Sequence, residues 1–422
     1  VVGIGASAGG LEAISALLAA IAPDSGMAFI VVQHLAPSRP SLLPEILSKH
    51  TSMRVVEAVE GMTIEIDHVY VIPPNMSMSV AQHRIRLRPR GETLGTPMPV
   101  DDLFDSLASD FGVDAIGVIL SGNGSDGALG LQSIQSQGGI TFAQDTLSAR
   151  HSSMPRAAIG LGCVDLVLSP REIATEIARI GRYPKRALQE LELMGPARGA
   201  ADQSLRPLFR LLRSACNIDF TYYKRGTVQR RLSRRMALRE MTSIVDYVTL
   251  LDSDPVETLA LGRDLLIRVT EFFRDPETFD ELLRTVFPRL LGDGDTPEPV
   301  RIWVPGCASG EEVYSIAICL LEYLNDRASR AQIQFFGTDV SVEALETARA
   351  GRYIENIARN VSPERLERFF VRDGDHYCVN KSVRSLCTFA RHNVATDPPF
   401  SRIGLISCRN LLIYLDPILQ RN

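Results

Sequence analysis

Twice in this chain a short apolar strand pattern runs straight into a turn of small residues and then into a helix pattern. That unit constrains the chain to an α/β fold. The first copy is Val2-Gly3-Ile4-Gly5-Ala6-Ser7-Ala8-Gly9-Gly10, with a helical pattern over 11–20. The second is Arg301-Ile302-Trp303-Val304-Pro305-Gly306-Cys307-Ala308-Ser309-Gly310, with Glu311 and Glu312 opening the helix. A strand that turns within a few residues needs small side chains, and such a turn exposes the polar groups it carries. The first turn exposes one serine and suits ester hydrolysis. The second suits a nucleotide-like methyl donor.

Strand patterns at 1–4, 28–33, 68–72 and 115–121 alternate with helical ones at 11–20, 42–49, 101–111 and 127–137. This alternation predicts a doubly wound, mostly parallel sheet over residues 1–182. Segments 69–73, 77–80 and 84–87 read as hairpin strands, an antiparallel insertion. A polar stretch with Gly195, Pro196 and Gly199 makes 183–203 the expected linker. Residues 204–292 are helical in pattern, rich in arginine and without a convincing strand. After Pro297-Glu298-Pro299, strands return at 300–304, 333–338 and 405–407, which predicts a second α/β domain over 293–422. The chain begins within a strand without Met and stops soon after Asp416-Pro417, so it reads as a region cut from something longer.

Bulk properties exclude several classes. With 45% hydrophobic and 23% charged residues the chain is expected to be soluble and globular, in two or three domains over its 422 residues. A net charge of −5 makes no global case for nucleic acid. No apolar run nears the roughly 18–20 residues of a membrane span, and no signal peptide is visible. Seven cysteines without CxxC or CxxH spacing point to reduced thiols in a cytoplasm and against a zinc site.

Gly5-Ala6-Ser7-Ala8-Gly9 has the spacing of a nucleophile elbow, with helix amides nearby for an oxyanion. Gly3, Gly5 and Ala8 also fit a dinucleotide fingerprint, but that site expects an acidic residue closing the second strand. Here the strand ends Val31-Val32-Gln33-His34. His34 thus stands at the carboxyl edge of the sheet, and Asp126 follows a third strand in Ser121-Gly122-Asn123-Gly124-Ser125-Asp126-Gly127. Alone, the histidine would be structural and the aspartate a helix cap. Three strand ends supplying Ser, His and Asp point instead to a triad: serine attacks, histidine relays the proton, aspartate holds the imidazole.

The segments GIGASAGG, VVQHLAPS, LSGNGSDGALG and SSMPRAAIGLG make residues 1–182 resemble the catalytic domain of the CheB-type chemotaxis protein-glutamate methylesterases. The resemblance implies Ser7, His34 and Asp126 as the triad. Ala8 stands where the family often has threonine, and Asn123 where methionine is common. The free-standing enzymes usually carry an N-terminal receiver domain; no such segment is read before Val1, so control of that kind is not among the expectations.

LIRVTEFFRD (266–275), His392-Asn393-Val394 and ISCRNLLIYLD (406–416) resemble the CheR-type chemoreceptor glutamate methyltransferases, over 204–422. That implies an all-helical subdomain (204–292) followed by a Rossmann-like domain binding S-adenosylmethionine (293–422), cut short at its end. Thr270, Arg274, Glu311, Asp339, Asn393, Val394, Arg409 and Asn410 are implied as cofactor contacts, with Tyr414 beside the reacting methyl. Arg268 replaces a usual asparagine. From the residues themselves, acidic Glu311 and Glu312 at a helix start would repel a phosphate and suit ammonium and sulfonium charges. Asp339, ending a strand, is placed for ribose hydroxyls. Arg231, Arg234 and Arg235 share a helix face with Arg239. They read either as a solvated basic face or as a docking face for a glutamate-rich helical substrate. No aromatic residues interleave with them, which argues against nucleic acid. The whole implies a bifunctional bacterial cytoplasmic enzyme that sets the methylation of a chemoreceptor or related signalling protein, without a metal and without inserting into the membrane.

Overall fold

The computed structural model describes residues 1–34, 41–90, 97–182, 200–267, 269–292, 299–325 and 332–421. The expected linker (mostly 183–199) and Arg268 lie outside the described residues. Two compact units form, one from 1–211 with 228–264 and one from 212–227 with 265–422. These units do not follow the linear boundaries read from the sequence. Among the described residues no helix is long and apolar enough to cross a membrane.

In the first unit, β1 (Val2–Ala6), β2 (Phe29–Gln33), β3 (Arg54–Glu57), β4 (His68–Val71), β7 (Ile116–Ile119), β8 (Ile140–Gln144) and β9 (Leu166–Leu168) build one sheet. Its order is β3-β4-β2-β1-β7-β8-β9, and every pairing is parallel. β5 (Met76–Ala81) and β6 (Arg84–Pro89) form a separate antiparallel hairpin. Residues 69–71, expected in that hairpin, belong to β4 and the parallel sheet.

Alternation along β1 explains its glycines. Val2, Ile4 and Ala6 join Ile14, Leu17 and Leu18 of the helix Gly10–Ala20 in one core. Gly3 and Gly5 face the helix Pro99–Phe111 on the other side. A Cβ on Gly5 would come within 2.2 Å of Val100 Cγ1, so only glycine lets that helix settle on the strand. The glycines that mimic a dinucleotide fingerprint therefore serve helix packing.

Helices Ala200–Cys216, Arg225–Leu238, Ile244–Ser253 and Pro255–Leu265 occupy the arginine-rich region. In the second unit β10 (Val300–Pro305), β11 (Ile333–Asp339), β15 (Cys387–Arg391) and β16 (Leu405–Ile406) form a parallel sheet ordered β15-β11-β10-β16. β12 (Arg352–Ile354), β13 (Phe370–Asp373) and β14 (His376–Val379) make a small antiparallel sheet beside it. Phe272, Phe287, Tyr314 and Phe335 anchor the core of this unit.

Candidate active sites

Ser7 follows β1, His34 follows β2, and the loop carrying Asp126 follows β7. These strands are neighbours, and from β1 the chain winds outward in both directions. The three side chains therefore share the carboxyl edge where the strand order reverses, the place where open α/β sheets form crevices.

Asp126 is buried, and its carboxylate collects three donors. Oδ2 takes His34 Nε2 at 2.7 Å and the Val100 amide at 3.0 Å, and Oδ1 takes the Asp101 amide at 2.9 Å. Both amides belong to the first turn of the helix Pro99–Phe111, whose positive end favours the anion. The side chain of His34 is 33% exposed and that of Asp126 only 3%, so the imidazole links a buried anion to the open crevice.

The serine turn is fixed by residues that the sequence did not single out. The Ser7 amide donates to the Ser121 carbonyl at 3.0 Å. Ser121 Oγ donates to the Ala8 carbonyl and accepts from the His151 amide, each at 2.9 Å, while its own amide donates to Gln144 Oε1 at 2.8 Å. Gly9 adopts φ +70°, and a Cβ there would lie 2.8 Å from Ser121 Oγ, so the turn needs glycine twice over. Fully buried polar residues at strand ends, Ser121 and Gln144, were the available signal. Ala8 is half-buried in this turn and Asn123 is exposed on the loop before Asp126.

In the second unit a cleft of about 460 Å³ opens at the carboxyl ends of β10 and β11. Thr270, Arg274, Asp339, Asn393, Val394, Arg409, Asn410 and Tyr414 all line it. Asp339 Oδ2 accepts the Ala308 amide at 2.9 Å and Oδ1 the Ser341 amide at 2.8 Å, which pins the Gly306–Gly310 turn. Arg409 Nη2 donates to the Arg274 carbonyl at 2.6 Å and to Asp275 Oδ2 at 2.7 Å. Tyr222 and Tyr223 form part of the wall. Tyr222 ends the 3-10 turn Phe220–Tyr222, and the chain there is tied to Tyr414: Lys224 N donates to the Tyr414 carbonyl at 2.9 Å and Asp416 N to the Tyr222 carbonyl at 2.7 Å. Burial, with Asp339 nearby, pushes the Tyr223 phenol up to about 12.

Glu311 is a correction. It does not line the cleft: its carboxylate accepts Ser309 Oγ at 2.8 and 2.9 Å, and burial pushes it up to about 7. The residue that faces the cleft is Glu312, held by Ser407 Oγ at 2.6 Å and raised by burial. At 3.6 residues per turn, adjacent helix positions face different ways, and only one of the pair can point inward.

The expected docking face is a second correction. Arg231 and Arg234 are each 3% exposed, and Arg235 is mostly buried. Arg234 pairs with Asp165 and Asp264, and Arg235 Nε donates to Glu257 Oε1 at 2.8 Å. Burial disfavours the charge on Arg234, and its two carboxylates outweigh that, so the guanidinium holds its proton more tightly than usual. These groups are committed inside the first unit and offer no surface to a substrate.

Residues 2–177 match the family model of the CheB methylesterase. Residues 203–266 match the all-alpha domain of the CheR methyltransferase, and 268–422 its SAM binding domain. A putative protein-glutamate methylesterase/protein-glutamine glutaminase of Leptospira interrogans is 35% identical over 178 residues, 42% of this chain and 92% of that protein. The chain belongs to the CheB family in its first part and the CheR family in its second. S-adenosylmethionine is the cofactor of the CheR part. A chemotaxis protein methyltransferase of Borreliella burgdorferi is 28% identical over 52% of this chain and 80% of its own length. An uncharacterized 104.1 kDa protein of Rhodobacter capsulatus is 35% identical over 401 residues, 90% of this chain, so it carries both parts in one polypeptide. The chain spans 42% of that relative's length.

The cleft of the CheR part suits its cofactor. Its volume falls within the roughly 300–1,000 Å³ usual for small-molecule sites. Glu312 and Asp339 are among the acidic side chains in its wall, which suits a ligand that carries cations and hydroxyls. His392 in its wall keeps Nε2 on the Pro398 carbonyl at 3.0 Å and leaves a buried Nδ1 without a partner.

Proposed function

We propose that this chain hydrolyses glutamate methyl esters with its CheB part and methylates glutamate carboxylates with its CheR part, on a chemoreceptor or related signalling protein in the cytoplasm. What supports the reading is that the half-exposed His34 pairs at 2.7 Å with the buried Asp126 at the same strand edge that Ser7 follows, in one chain with the CheR cleft.

In the ester reaction Ser7 Oγ attacks the ester carbonyl and His34 takes its proton through Nδ1. The imidazolium formed is stabilised by the Asp126 carboxyl group, held in its cradle of two amides. The Ala8 amide, next after the nucleophile, is the donor this kind of turn offers the oxyanion. Methanol leaves with the proton returned by His34, and water then releases the glutamate by the same relay.

In the opposing reaction bound S-adenosylmethionine supplies the methyl group. Asp339 holds the ribose, while Glu312 accompanies the cationic end. A glutamate acceptor is ionised at neutral pH, with a reference pKa of about 4.3, so no general base is needed. The work left to the protein is alignment and exclusion of water, with Tyr222, Tyr223 and Tyr414 forming the wall nearest the tie across the cleft.

The deciding experiment incubates the chain with labelled S-adenosylmethionine and receptor-bearing membranes and scores label uptake and volatile methanol. Hydrolysis of small esters with no turnover of receptor glutamates in either direction would overturn the proposal.

A further inference from the structure

Helix Arg225–Leu238 falls in the region of the CheR all-alpha domain, yet its buried arginines grip atoms of the CheB part. The Arg231 guanidinium donates to the Gln135 and Ser136 carbonyls in the last turn of helix Ala128–Gln137. Arg234 Nε donates to the Gly139 carbonyl at 2.9 Å, at the entry to β8. Arg234 also pairs with Asp165, at the entry to β9, whose Oδ2 is held by the Thr141 amide and hydroxyl at 2.9 Å each. From the other direction Arg179 Nη1 donates to the Ala237 carbonyl at 3.1 Å, and Leu238 packs on the core of the CheB sheet. All these contacts lie at the amino-terminal edge of that sheet, opposite the edge that carries Ser7.

The recess has the chemistry of a cation receptor. The carbonyls of the last helical turn carry the negative end of the helix dipole, and the Gln135 carbonyl, which takes the Gly138 amide at 3.0 Å, keeps a second acceptor site for Arg231. The Asp165 side chain is 3% exposed, so without Arg234 it would be a buried anion, which proteins hold only when paired. Neither feature is needed by the ester reaction. The buried Asp165 needs a cation, and the helix end favours one.

We propose that residues 228–264 are the permanent partner of the CheB domain, seated in this recess and forming with it one cooperative body. The arginines of a methyltransferase helix then act as an internal fastener, and the demethylating half depends for its integrity on a segment of the methylating half. The proposal stands on these contacts and on neither enzymatic activity.

The test places a specific protease site between residues 183 and 199 of the whole chain. The folded protein is cleaved there and run on gel filtration in low and 1 M salt. The two fragments are expected to co-elute at both salts, because screening acts on exposed charges far more than on a buried pair. Arg234→Met should weaken the association at least about a hundredfold, since it strands Asp165 and Asp264 without their cation. Arg234→Lys, which keeps the charge and loses the fork, should fall between. Calorimetry of the uncleaved variants should find S-adenosylmethionine affinity within about twofold of the parent. Fragments of the parent chain that elute apart would overturn the proposal, whatever the variants do. So would association unchanged in both Arg234→Met and Arg231→Met.

Discussion

Replacing Asp126 with asparagine tests the ester site at its most determined point. The carboxylate receives His34 Nε2 and the Val100 amide on one oxygen and the Asp101 amide on the other. An amide offers one oxygen only. In its better orientation that oxygen keeps His34 and Val100, and the NH2 group faces the Asp101 N–H, leaving a buried donor unpaired at about 1–3 kcal/mol. For a unit of this size that lowers the melting temperature by about 2–12 °C. The rate should suffer much more. A neutral acceptor still orients the ring but cannot stabilise the imidazolium, and methanol release should fall about 10²–10⁴-fold at saturating methylated receptor. Thermal unfolding by circular dichroism, methanol release and calorimetric S-adenosylmethionine binding would be measured on one preparation. Binding of the cofactor should not change, because its cleft lies in the other unit. Folded Asp126→Asn that retains more than about a tenth of the esterase rate would refute the role given to this carboxylate.

The gathering of Ser7, His34 and Asp126 at three neighbouring strand ends was readable because its signals are local. Three short apolar runs each lead directly into a segment bearing one of these polar side chains, so the carboxyl edge of a parallel sheet collects them whatever the sheet order. β8 was missed for the opposite reason: Thr141 and Gln144 interrupt its apolar pattern, and both are fully buried because they bind Asp165 and Ser121. β9 is three residues long and gives no period to detect. The arginine helix misled because a charge run is usually solvated, and nothing near it in sequence announces its partners. Asp165 precedes β9, Glu257 and Asp264 lie on the helix Pro255–Leu265, and only the folded chain brings these two segments to one helix. Glu311 and Glu312 could not be told apart either, since the helical phase that turns one toward the cleft depends on where the Gly306–Gly310 turn releases the chain.

Ser7→Ala should abolish methanol release and leave methyl uptake intact; retention of more than about a tenth of the esterase rate would move the nucleophile elsewhere. Asp339→Ala removes a charge-assisted ribose contact of about 1.5–3 kcal/mol and also frees the Ala308 amide it pins, so S-adenosylmethionine affinity should fall at least about tenfold by titration calorimetry. Unchanged affinity would place the ribose contact on another residue. The last prediction concerns pH. Burial raises Glu311 from 4.5 in the unfolded chain to about 7 in the folded one, so the folded state binds the proton more tightly. The stabilisation from this group is full below about pH 4.5 and is lost as pH rises through about 7, a swing of about 3 kcal/mol. Glu311→Gln keeps an acceptor for Ser309 and does not titrate. Its second unit should therefore lose less stability than the parent between pH 5 and 8, with Glu312, raised in the same direction, titrating in both proteins. Denaturant unfolding of parent and variant across that range, read by loss of cofactor binding, measures the difference, and parallel curves would mean that Glu311 is ionised in the folded protein throughout.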